Sequence, residues 1–346
     1  MQHTQLAYRQ IEFSGDDIAS FLERLEKNRI SRNQALEFLY AMQDKALDCD
    51  TMLPFVRHIR KHYPCRQTSR SALAVNIVGT GGGRSTFNIS TTAAFVAAAS
   101  GAVVIKSGSS SYTSRCGALD LLKAMGINLN ISFDQFEHMI AEIGLGFVNP
   151  AWYASILRRL AIAILPETFK TVGGFVNVAG PLLSPVDVGG RLIGVKSREL
   201  IDSMAECIHR LGMCNAIVCW SDQGMDEFCS VGNNYFRRVT EDGVGPLETD
   251  FAGPANDRHL VELEGGSPMQ NAAITQSILE GAIQGVKLET VLRNAAYILV
   301  LANQAQTIDQ GMAMAAEAIR SGRAGKILEQ ARRFSSGERG SSCRCA

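Results

Sequence analysis

The sequence predicts an α/β protein in which a small, mainly helical part precedes a larger part built on a mostly parallel central sheet. Three observations predict it. Apolar residues recur at helical spacing from Asp16 to about Tyr63, and short β-branched runs then alternate with glycine loops and helical segments. From Asn271 to Phe334 the chain is helical again. Strands that alternate with helices in this way are typical of parallel sheets.

The individual elements follow from the same alternation. Strands are predicted at Ala74–Val78, Val103–Lys106, Arg191–Val195 and Ala216–Trp220, and helices at Ser90–Gly101, Gly117–Met125 and Arg198–Leu211. In the N-terminal part, Ser31 is followed within one turn by an amide side chain, which predicts the start of a helix there.

The composition indicates a globular protein with a large core and a balanced surface. Of the 346 residues, 46% are hydrophobic and 20% are charged, so one or two domains are expected. Lys plus Arg and Asp plus Glu both count 34, and this balance gives no electrostatic support for a nucleic-acid partner. We find no apolar run of membrane-spanning length, and charged residues stand where a signal peptide would be apolar. We therefore expect a cytoplasmic protein without a membrane partner.

Nine cysteines are spread along the chain without the close pairing typical of zinc sites. Buried free thiols in a reducing compartment are the expected state. Cys343 and Cys345 lie one residue apart in the C-terminal tail, which resembles a prenylation box only weakly because Arg344 is not aliphatic. We expect the tail, residues 335–346, to be disordered.

A glycine-rich loop is the first candidate site. The loop Gly79–Gly83 directly follows a predicted strand, and a helix begins soon after it near Asn88, Ser90 and Thr91. Glycines let backbone N–H groups turn toward a ligand, and a helix N-terminus adds free donors and a partial positive charge. This combination suits an oligophosphate.

Two further elements bring charge toward the same place. Lys106 ends the second predicted strand, at the carboxyl edge where such sheets bind ligands. Asp226 and Glu227 are adjacent carboxylates in a loop after the fourth predicted strand. Mg²⁺ takes such oxygen ligands when it serves a bound diphosphate. Alone, the lysine is equally well interpreted as solvated and the acidic pair as ordinary surface charge.

Together and in this order, these segments resemble motifs of the anthranilate phosphoribosyltransferase family. Its GTGGD, NIST, KHGNR, SGSADVL, GPLLNP and DE motifs are similar to Gly79–Gly83, Asn88–Thr91, Lys106–Ser110, Cys116–Leu122, Gly180–Pro185 and Asp226–Glu227, and its GGDAAENAA motif to Gly265–Ala273. The resemblance covers the chain from Asp16 to Leu328.

The resemblance implies a fold of the nucleoside phosphorylase and phosphoribosyltransferase type. Residues 1–72, joined by roughly 172–190, would form a helical domain through which the protein makes a homodimer. Residues 73–171 and 191–334 would form the α/β domain that binds phosphoribosyl pyrophosphate (PRPP).

The resemblance also implies a Mg²⁺-dependent transfer of the 5-phosphoribosyl group from PRPP, with release of diphosphate. The implied PRPP contacts are Gly79, Thr80, Gly81, Gly82, Gly83, Thr86, Asn88, Ser90, Thr91, Lys106 and Ser114, and the implied metal ligands are Ser90, Asp226 and Glu227. As diphosphate leaves the ribose, Lys106, the metal and the loop N–H groups would stabilise the charge, so no covalent nucleophile is needed.

The acceptor side departs from the family pattern. Serines replace the His, Asn and Arg of KHGNR, and a family arginine that contacts anthranilate falls on Ile164 or Glu167. The predicted acceptor-binding residues are Ser107, Gly108, Ser109, Ser110, Tyr153 and Glu167. Without the arginine a carboxylate acceptor would lose a charge-assisted contact, and Glu167 would repel such an acceptor if its side chain faced the pocket. The sequence therefore predicts a small aromatic or nitrogenous acceptor, neutral or cationic, other than anthranilate.

Three alternatives stay open at this point. Arg158 or Arg159 would replace the family arginine if the local helix is rotated, which would make the protein a true anthranilate phosphoribosyltransferase of tryptophan biosynthesis. A pyrimidine-nucleoside phosphorylase-like enzyme is a second alternative, although the Asp226–Glu227 pair weighs against it. A non-catalytic binding relative is the third, because a scaffold alone does not establish activity.

Overall fold

The computed structural model describes residues 12–43, 45, 48–108 and 115–337. Its helices are α1 (Gly15–Glu26), α2 (Arg32–Met42), α3 (Cys49–His62), α4 (Ile89–Ala99), α5 (Ala118–Ala124), α6 (Phe133–Ile143), α7 (Ser155–Ala163), α8 (Phe169–Val172), α9 (Gly174–Ala179), α10 (Leu200–Arg210), α11 (Asp257–Glu262), α12 (Pro268–Leu279), α13 (Val286–Leu301), α14 (Ile308–Arg320) and α15 (Arg323–Ser336). Its strands are β1 (Ala74–Gly79), β2 (Val103–Lys106), β3 (Leu145–Phe147), β4 (Gly190–Gly194), β5 (Ala216–Ser221), β6 (Gly232–Thr240), β7 (Gly243–Val244) and β8 (Glu248–Gly253).

The strands form one mixed sheet in the order β3-β2-β1-β4-β5-β6-β7, with β8 also paired to β6. Strands β3, β2, β1, β4 and β5 are parallel, whereas β6 runs antiparallel to β5, β7 and β8. The predicted mostly parallel sheet is therefore confirmed. The antiparallel edge was not predicted, because β6 carries polar residues such as Asn233 and Arg237 where a buried strand would be apolar.

The predicted elements agree with the structure to within two residues at their ends. Strand β2 has the predicted bounds, and β1 continues by one residue to Gly79. At the predicted start of α2, the hydroxyl of Ser31 accepts from the backbone N–H of Gln34 at 3.3 Å, and the side chain of Gln34 accepts from the N–H of Ser31 at 3.0 Å. This reciprocal cap satisfies N–H groups that the first turn leaves free.

The sheet is covered on both faces, and each face has its own core. On one face α4 and α12 to α15 pack around Phe95, Val104 and Ile298. Helix α4 is alanine-rich and nearly all its residues are buried, and such small side chains let it pack against both the sheet and α13. On the other face α10 packs on the sheet, and α1 to α3 together with α7 to α9 form a helical layer beyond it, around residues such as Phe55 and Met204.

The packing bears on two predicted boundaries. Helix α7 was assigned to the α/β part, and its Ile156 and Leu160 are buried in a core that the N-terminal helices share with the sheet. The predicted disordered tail starts two residues too early, because α15 runs to Ser336 and the buried Ser335 hydroxyl accepts from the N–H of Asn128 at 3.1 Å. The remaining tail, residues 338–346, lies outside the described part. No described helix combines the length and apolarity that crossing a lipid bilayer requires.

Candidate active site

A cavity of about 610 Å³ lies at the carboxyl edge of the parallel strands. Parallel pairing brings the ends of β1, β2 and β4 together there, at Gly79, Lys106 and Gly194. The opposite wall is helical and includes Gln43 after α2 and residues of α7, α8 and α9. Ligand sites of α/β sheets typically occupy this position, so the sheet and the helical layer together define a cleft.

The glycine loop is tied to its surroundings through its backbone. Gly81 and Gly82 have φ values of 66° and 87°, which only glycine adopts without strain. The N–H of Thr80 donates to the carbonyl of Gly194 at 2.9 Å, and the N–H of Gly81 donates to Oδ2 of Asp226 at 2.9 Å. The predicted loop and the predicted carboxylate are thus in direct contact, although 145 residues separate them in the chain.

Three glycines leave the space that Asp226 occupies. A Cβ on Gly79 would lie 2.2 Å from Oδ2 of Asp226, and one on Gly194 would lie 1.5 Å from its backbone oxygen. At Gly83 a Cβ would lie 2.8 Å from the carbonyl oxygen of Gly224. Real Cβ atoms do not approach so closely, so the Asp226 loop reaches the sheet edge only because these positions lack side chains.

Glu227 carries an unpaired buried oxygen. Its Oε2 atom is buried and has no hydrogen-bond partner among the described residues. Burial raises the pKa of Glu227 well above its usual value, the negative charge of Asp226 raises it further, and the positive charge of Lys106 opposes the shift. A buried carboxylate oxygen without a donor, beside a second carboxylate, fits a divalent cation held together with substrate phosphates.

Lys106 lies in the same cavity and is only 4% exposed. Its ammonium donates to the carbonyl of Ser107 at 2.6 Å. Burial lowers the pKa of Lys106 to about 8, against the raising effect of Glu227 and Asp226. A phosphate in the cavity would restore the stability of the charged form, which makes Lys106 suited to binding an anion.

Of the polar residues at the start of α4, two line the cavity and one is buried behind it. Ser90 and Asn88 line the cavity. The Asn88 side chain donates to the carbonyl of Cys116 at 3.2 Å and accepts from Asn271 at 2.8 Å, so it is held in place. Thr91 is different, because its side chain is fully buried behind the wall and its hydroxyl has no partner among the described residues. The side chain of Thr91 therefore does not reach the cavity surface, where PRPP was predicted to contact it.

The predicted acceptor serine nearest Lys106 does not face the cavity. Ser107 is 3% exposed, its hydroxyl accepts from the amide of Asn76 at 3.0 Å and donates to the hydroxyl of Ser184 at 3.2 Å. This buried network fixes the side chain inside the wall, so the Ser107 hydroxyl does not reach the cavity. Gly108 does line the cavity, and a Cβ there would lie 2.7 Å from the Cβ of Ala118.

Two further predicted acceptor residues, Glu167 and Tyr153, are placed differently with respect to the cavity. Glu167 does not line the cavity, and its carboxylate accepts from the hydroxyl of Thr171 at 2.8 Å. Tyr153 does line it, as predicted. Two cations, Arg158 and Lys170, line the same wall. The Glu167 carboxylate therefore faces Thr171 rather than the cavity.

Arg159, the other candidate for the missing family arginine, points elsewhere. Its Nη1 donates to the side-chain oxygen of Asn28 at 2.7 Å, which turns it toward the end of α1. Among the remaining predicted residues, Thr80 and Thr86 line the cavity. The predicted residues Ser109, Ser110 and Ser114 lie outside the described residues.

Sequence reasoning missed several residues of this cavity. Lys196 lines it, and its N–H donates to the hydroxyl of Thr80 at 3.1 Å. It follows the end of β4 just as Lys106 ends β2, so the same strand-end argument would have found it. Lys170 and Gln43 had no comparable signal, because only the packing of the helical layer on the sheet brings them to the cleft.

Comparisons with known proteins agree with this geometry. Residues 71–325 match the model of the glycosyl transferase family, a/b domain. The anthranilate phosphoribosyltransferase of Pelobacter propionicus is 35% identical over 317 residues, which cover 86% of this chain and 87% of that protein. The enzyme of the same name from Desulfotalea psychrophila is 32% identical over 329 residues, covering 92% of each chain.

Solved structures give the same fold. Anthranilate phosphoribosyltransferase from Thermus thermophilus superimposes with a TM-score of 0.80 at 27% identity, over 97% of this chain and 100% of that one. The Saccharomyces cerevisiae enzyme in complex with PRPP and Mg has a TM-score of 0.78 at 22% identity, over 97% and 99%. At that identity the second likeness supports the fold alone.

Proposed function

This chain belongs to the anthranilate phosphoribosyltransferase family and is a phosphoribosyltransferase, and from that premise we propose that it transfers the 5-phosphoribosyl group of PRPP to anthranilate. The transfer needs Mg²⁺ and releases diphosphate. The observation that carries the proposal is the meeting of the glycine loop, Lys106 and the Asp226–Glu227 pair in one cavity of about 610 Å³.

The donor half of the reaction follows from charge. Asp226 and Glu227 would hold Mg²⁺, which would supply positive charge to the leaving diphosphate. The unpaired buried oxygen of Glu227 supports this role. Lys106 and Lys196 add positive charge at the strand ends, and the glycine loop leaves room for the diphosphate beside them. These groups are fixed before the substrate arrives, so little reorganisation is needed in the transition state.

The acceptor half depends on the helical wall. Anthranilate is a carboxylate, and the cations Arg158 and Lys170 support its binding, because a charge-assisted hydrogen bond to either would compensate for the missing family arginine. The names of the relatives support the same acceptor. The second argument for a neutral or cationic acceptor, repulsion by Glu167, loses support because that carboxylate accepts from Thr171.

A diphosphate-release assay with matched acceptors tests the proposal. Purified enzyme, PRPP and Mg²⁺ are expected to release diphosphate with anthranilate, much less with 2-aminobenzamide, which replaces the carboxylate by a neutral amide, and much less with aniline, which lacks it. Turnover of the amide at least as fast as anthranilate would overturn the acceptor and leave the donor chemistry intact. Phosphorolysis of uridine without PRPP or Mg²⁺ would overturn both halves.

A homodimer through the helical layer and a cytoplasmic location stay predictions. Ile162 and Leu165, at the end of α7, are 61% and 57% exposed, and such apolar side chains support an interface on this layer. Sedimentation of the purified enzyme checks the dimer: a twofold mass that falls to the monomer in an Ile162→Glu, Leu165→Glu variant is expected. A monomeric wild-type protein would contradict it.

A further inference from the structure

Two cysteines that no catalytic role uses face each other between helices α3 and α10. Cys49 is the first residue of α3 in the helical layer, and Cys207 lies in α10, which packs directly on the sheet. Their sulfur atoms are 3.3 Å apart, although 158 residues separate them in the chain. Cys49 is 8% exposed and Cys207 is fully buried. The pair is therefore shielded from large reagents, and a small one reaches it first through Cys49.

The surroundings make the two thiols unequal. With both thiols protonated, the thiol of Cys49 donates to the Cys207 sulfur at 3.3 Å and the thiol of Cys207 donates to the carbonyl of Cys49 at 3.8 Å. The hydrogen bond that Cys207 would donate to a Cys49 thiolate lowers the pKa of Cys49 and raises the pKa of Cys207. Nη1 of Arg210 lies 3.7 Å from the Cys49 sulfur and is itself anchored to Asp50 at 2.6 Å. The N-terminus of α3 adds a partial positive charge. Burial, Glu206 and Asp50 oppose the shift at Cys49 without reversing it.

This arrangement gives each sulfur a chemical role. The thiolate is the nucleophile in oxidation by peroxides, and redox-sensitive cysteines typically combine a stabilised thiolate with a resolving thiol nearby. Cys49 has the features of the first and Cys207 those of the second. Cys65, in contrast, donates its thiol hydrogen to the carbonyl of Ser184 at 3.1 Å, and burial raises its pKa.

We propose that Cys49 and Cys207 form an oxidative modification site, which a hydroperoxide converts into a disulfide that joins α3 to α10. The Cys49 thiolate attacks one peroxide oxygen, the O–O bond breaks, and with hydrogen peroxide the second oxygen leaves as water after taking a proton. The Cys207 sulfur then attacks the resulting sulfenic acid. The S–S bond forms, the S–O bond breaks, and the oxygen leaves as a second water with the Cys207 proton.

The disulfide has a structural consequence that is measurable. The sulfurs, 3.3 Å apart, must approach by about 1.3 Å to reach bonding distance. The closed loop contains β1, α4, β2, β3 and β4, so both the glycine loop and Lys106 lie within it. Cross-linking removes conformational freedom mainly from the unfolded chain. The oxidised enzyme is therefore expected to unfold at a temperature higher by roughly 5 °C.

Peptide mapping of the full-length enzyme tests the proposal. After treatment with a small excess of hydrogen peroxide and blocking of free thiols, non-reducing digestion is expected to yield the peptide of Cys49 joined to that of Cys207. Dithiothreitol should separate them and return the unfolding temperature to its initial value. The variant Cys343→Ser, Cys345→Ser serves as the matched control, because it removes the tail thiols and should form the same cross-link.

Single variants test the order of the two steps. In Cys207→Ala, which keeps a small apolar side chain in the core, Cys49 is expected to stay as a sulfenic acid that dimedone labels. In Cys49→Ala, Cys207 should resist labelling, because it is fully buried and has lost the sulfur that a reagent reaches first. The absence of the cross-linked peptide in the folded wild-type enzyme, under conditions that oxidise Cys65 or the tail, would overturn the proposal. Equal labelling of both single variants would overturn the assigned roles.

Discussion

The donor side and the acceptor side of the cleft are built in different ways. On the donor side Lys106 is 4% exposed and Asp226 is enclosed by glycines, one of which would place a Cβ 1.5 Å from its backbone oxygen. On the acceptor side the two cations, Arg158 and Lys170, are exposed side chains on the short helices α7 and α8. The donor side is fixed by the backbone, and the acceptor side is a surface of adaptable side chains.

This difference explains why the donor side is easier to predict from the sequence than the acceptor side. Where the backbone itself lines the cavity, few residues fit, and residues 79–82 match the first four positions of the family's GTGGD motif. Where a charge is delivered by a long side chain, a cation at another position can serve equally well. The loss of a family arginine at Ile164 or Glu167 therefore does not establish the loss of a carboxylate site, because Arg158 and Lys170 reach the same cavity.

The largest effect is expected at the carboxylates. Replacing Asp226 and Glu227 together by alanine should lower kcat at least about a thousandfold, because the metal loses both carboxylate ligands. Steady-state diphosphate release at saturating Mg²⁺ measures it, with Glu241→Ala as a control, since Glu241 is exposed in a turn after β6. Unchanged activity in the double variant would refute the metal assignment.

The next effect tests the backbone of the donor side. Gly194→Ala should lower kcat about a hundredfold, because its Cβ would displace the Asp226 loop by an ångström or more. Circular dichroism establishes that the variant is folded. Gly325→Ala is the matched control, because in α15 the nearest atom to its Cβ would be 3.8 Å away. Equal kcat values for the two variants would show that the close packing of Gly194 on Asp226 is not needed for activity.

Substitutions on the acceptor side should change the KM for anthranilate. Arg158→Ala and Lys170→Ala should each raise KM for anthranilate about tenfold, because each removes a charge-assisted contact to the carboxylate. The Kd for PRPP, measured by calorimetry, should stay unchanged. Arg159→Ala is the control, because its guanidinium is directed to Asn28. An equal rise of KM in all three variants would indicate a general charge effect rather than two specific contacts.

The buried lysine should make PRPP binding depend on pH. Burial lowers the pKa of Lys106 to about 8 in the free enzyme, and the bound phosphates favour its charged form. Affinity is therefore fully present below pH 8 and is lost above it, so Kd should rise about tenfold from pH 7 to pH 9. Lys106→Arg should flatten this rise, because arginine stays charged. A wild-type Kd that is constant over this range would contradict the assignment.

The smallest effect is expected at Glu167. Glu167→Gln should change KM for anthranilate less than about twofold, because the side chain bonds to Thr171 and does not line the cavity. Parallel assays with 2-aminobenzamide make the test sharper. A large gain in anthranilate affinity would mean that Glu167 does repel the acceptor, as the sequence predicted.

The sequence by itself determined the strand ends and the donor motifs. Hydrophobic alternation located β1, β2, β4 and β5, and the glycine loop, Lys106 and the Asp226–Glu227 pair followed from local chemistry, because the carboxyl ends of parallel strands must meet at one edge. Their interpretation as a PRPP site came from the family resemblance. The same rule would also have predicted Lys196, which follows the end of β4.

Only the tertiary structure decided which side chains face the acceptor. Ser107 sits next to Lys106 in the chain, yet its hydroxyl bonds to Asn76 within the wall. Lys170 and Arg158 reach the cavity because α7 and α8 pack with the N-terminal helices over the sheet. The direction of a side chain on a short helix depends on contacts with distant residues, and local sequence patterns do not encode those contacts.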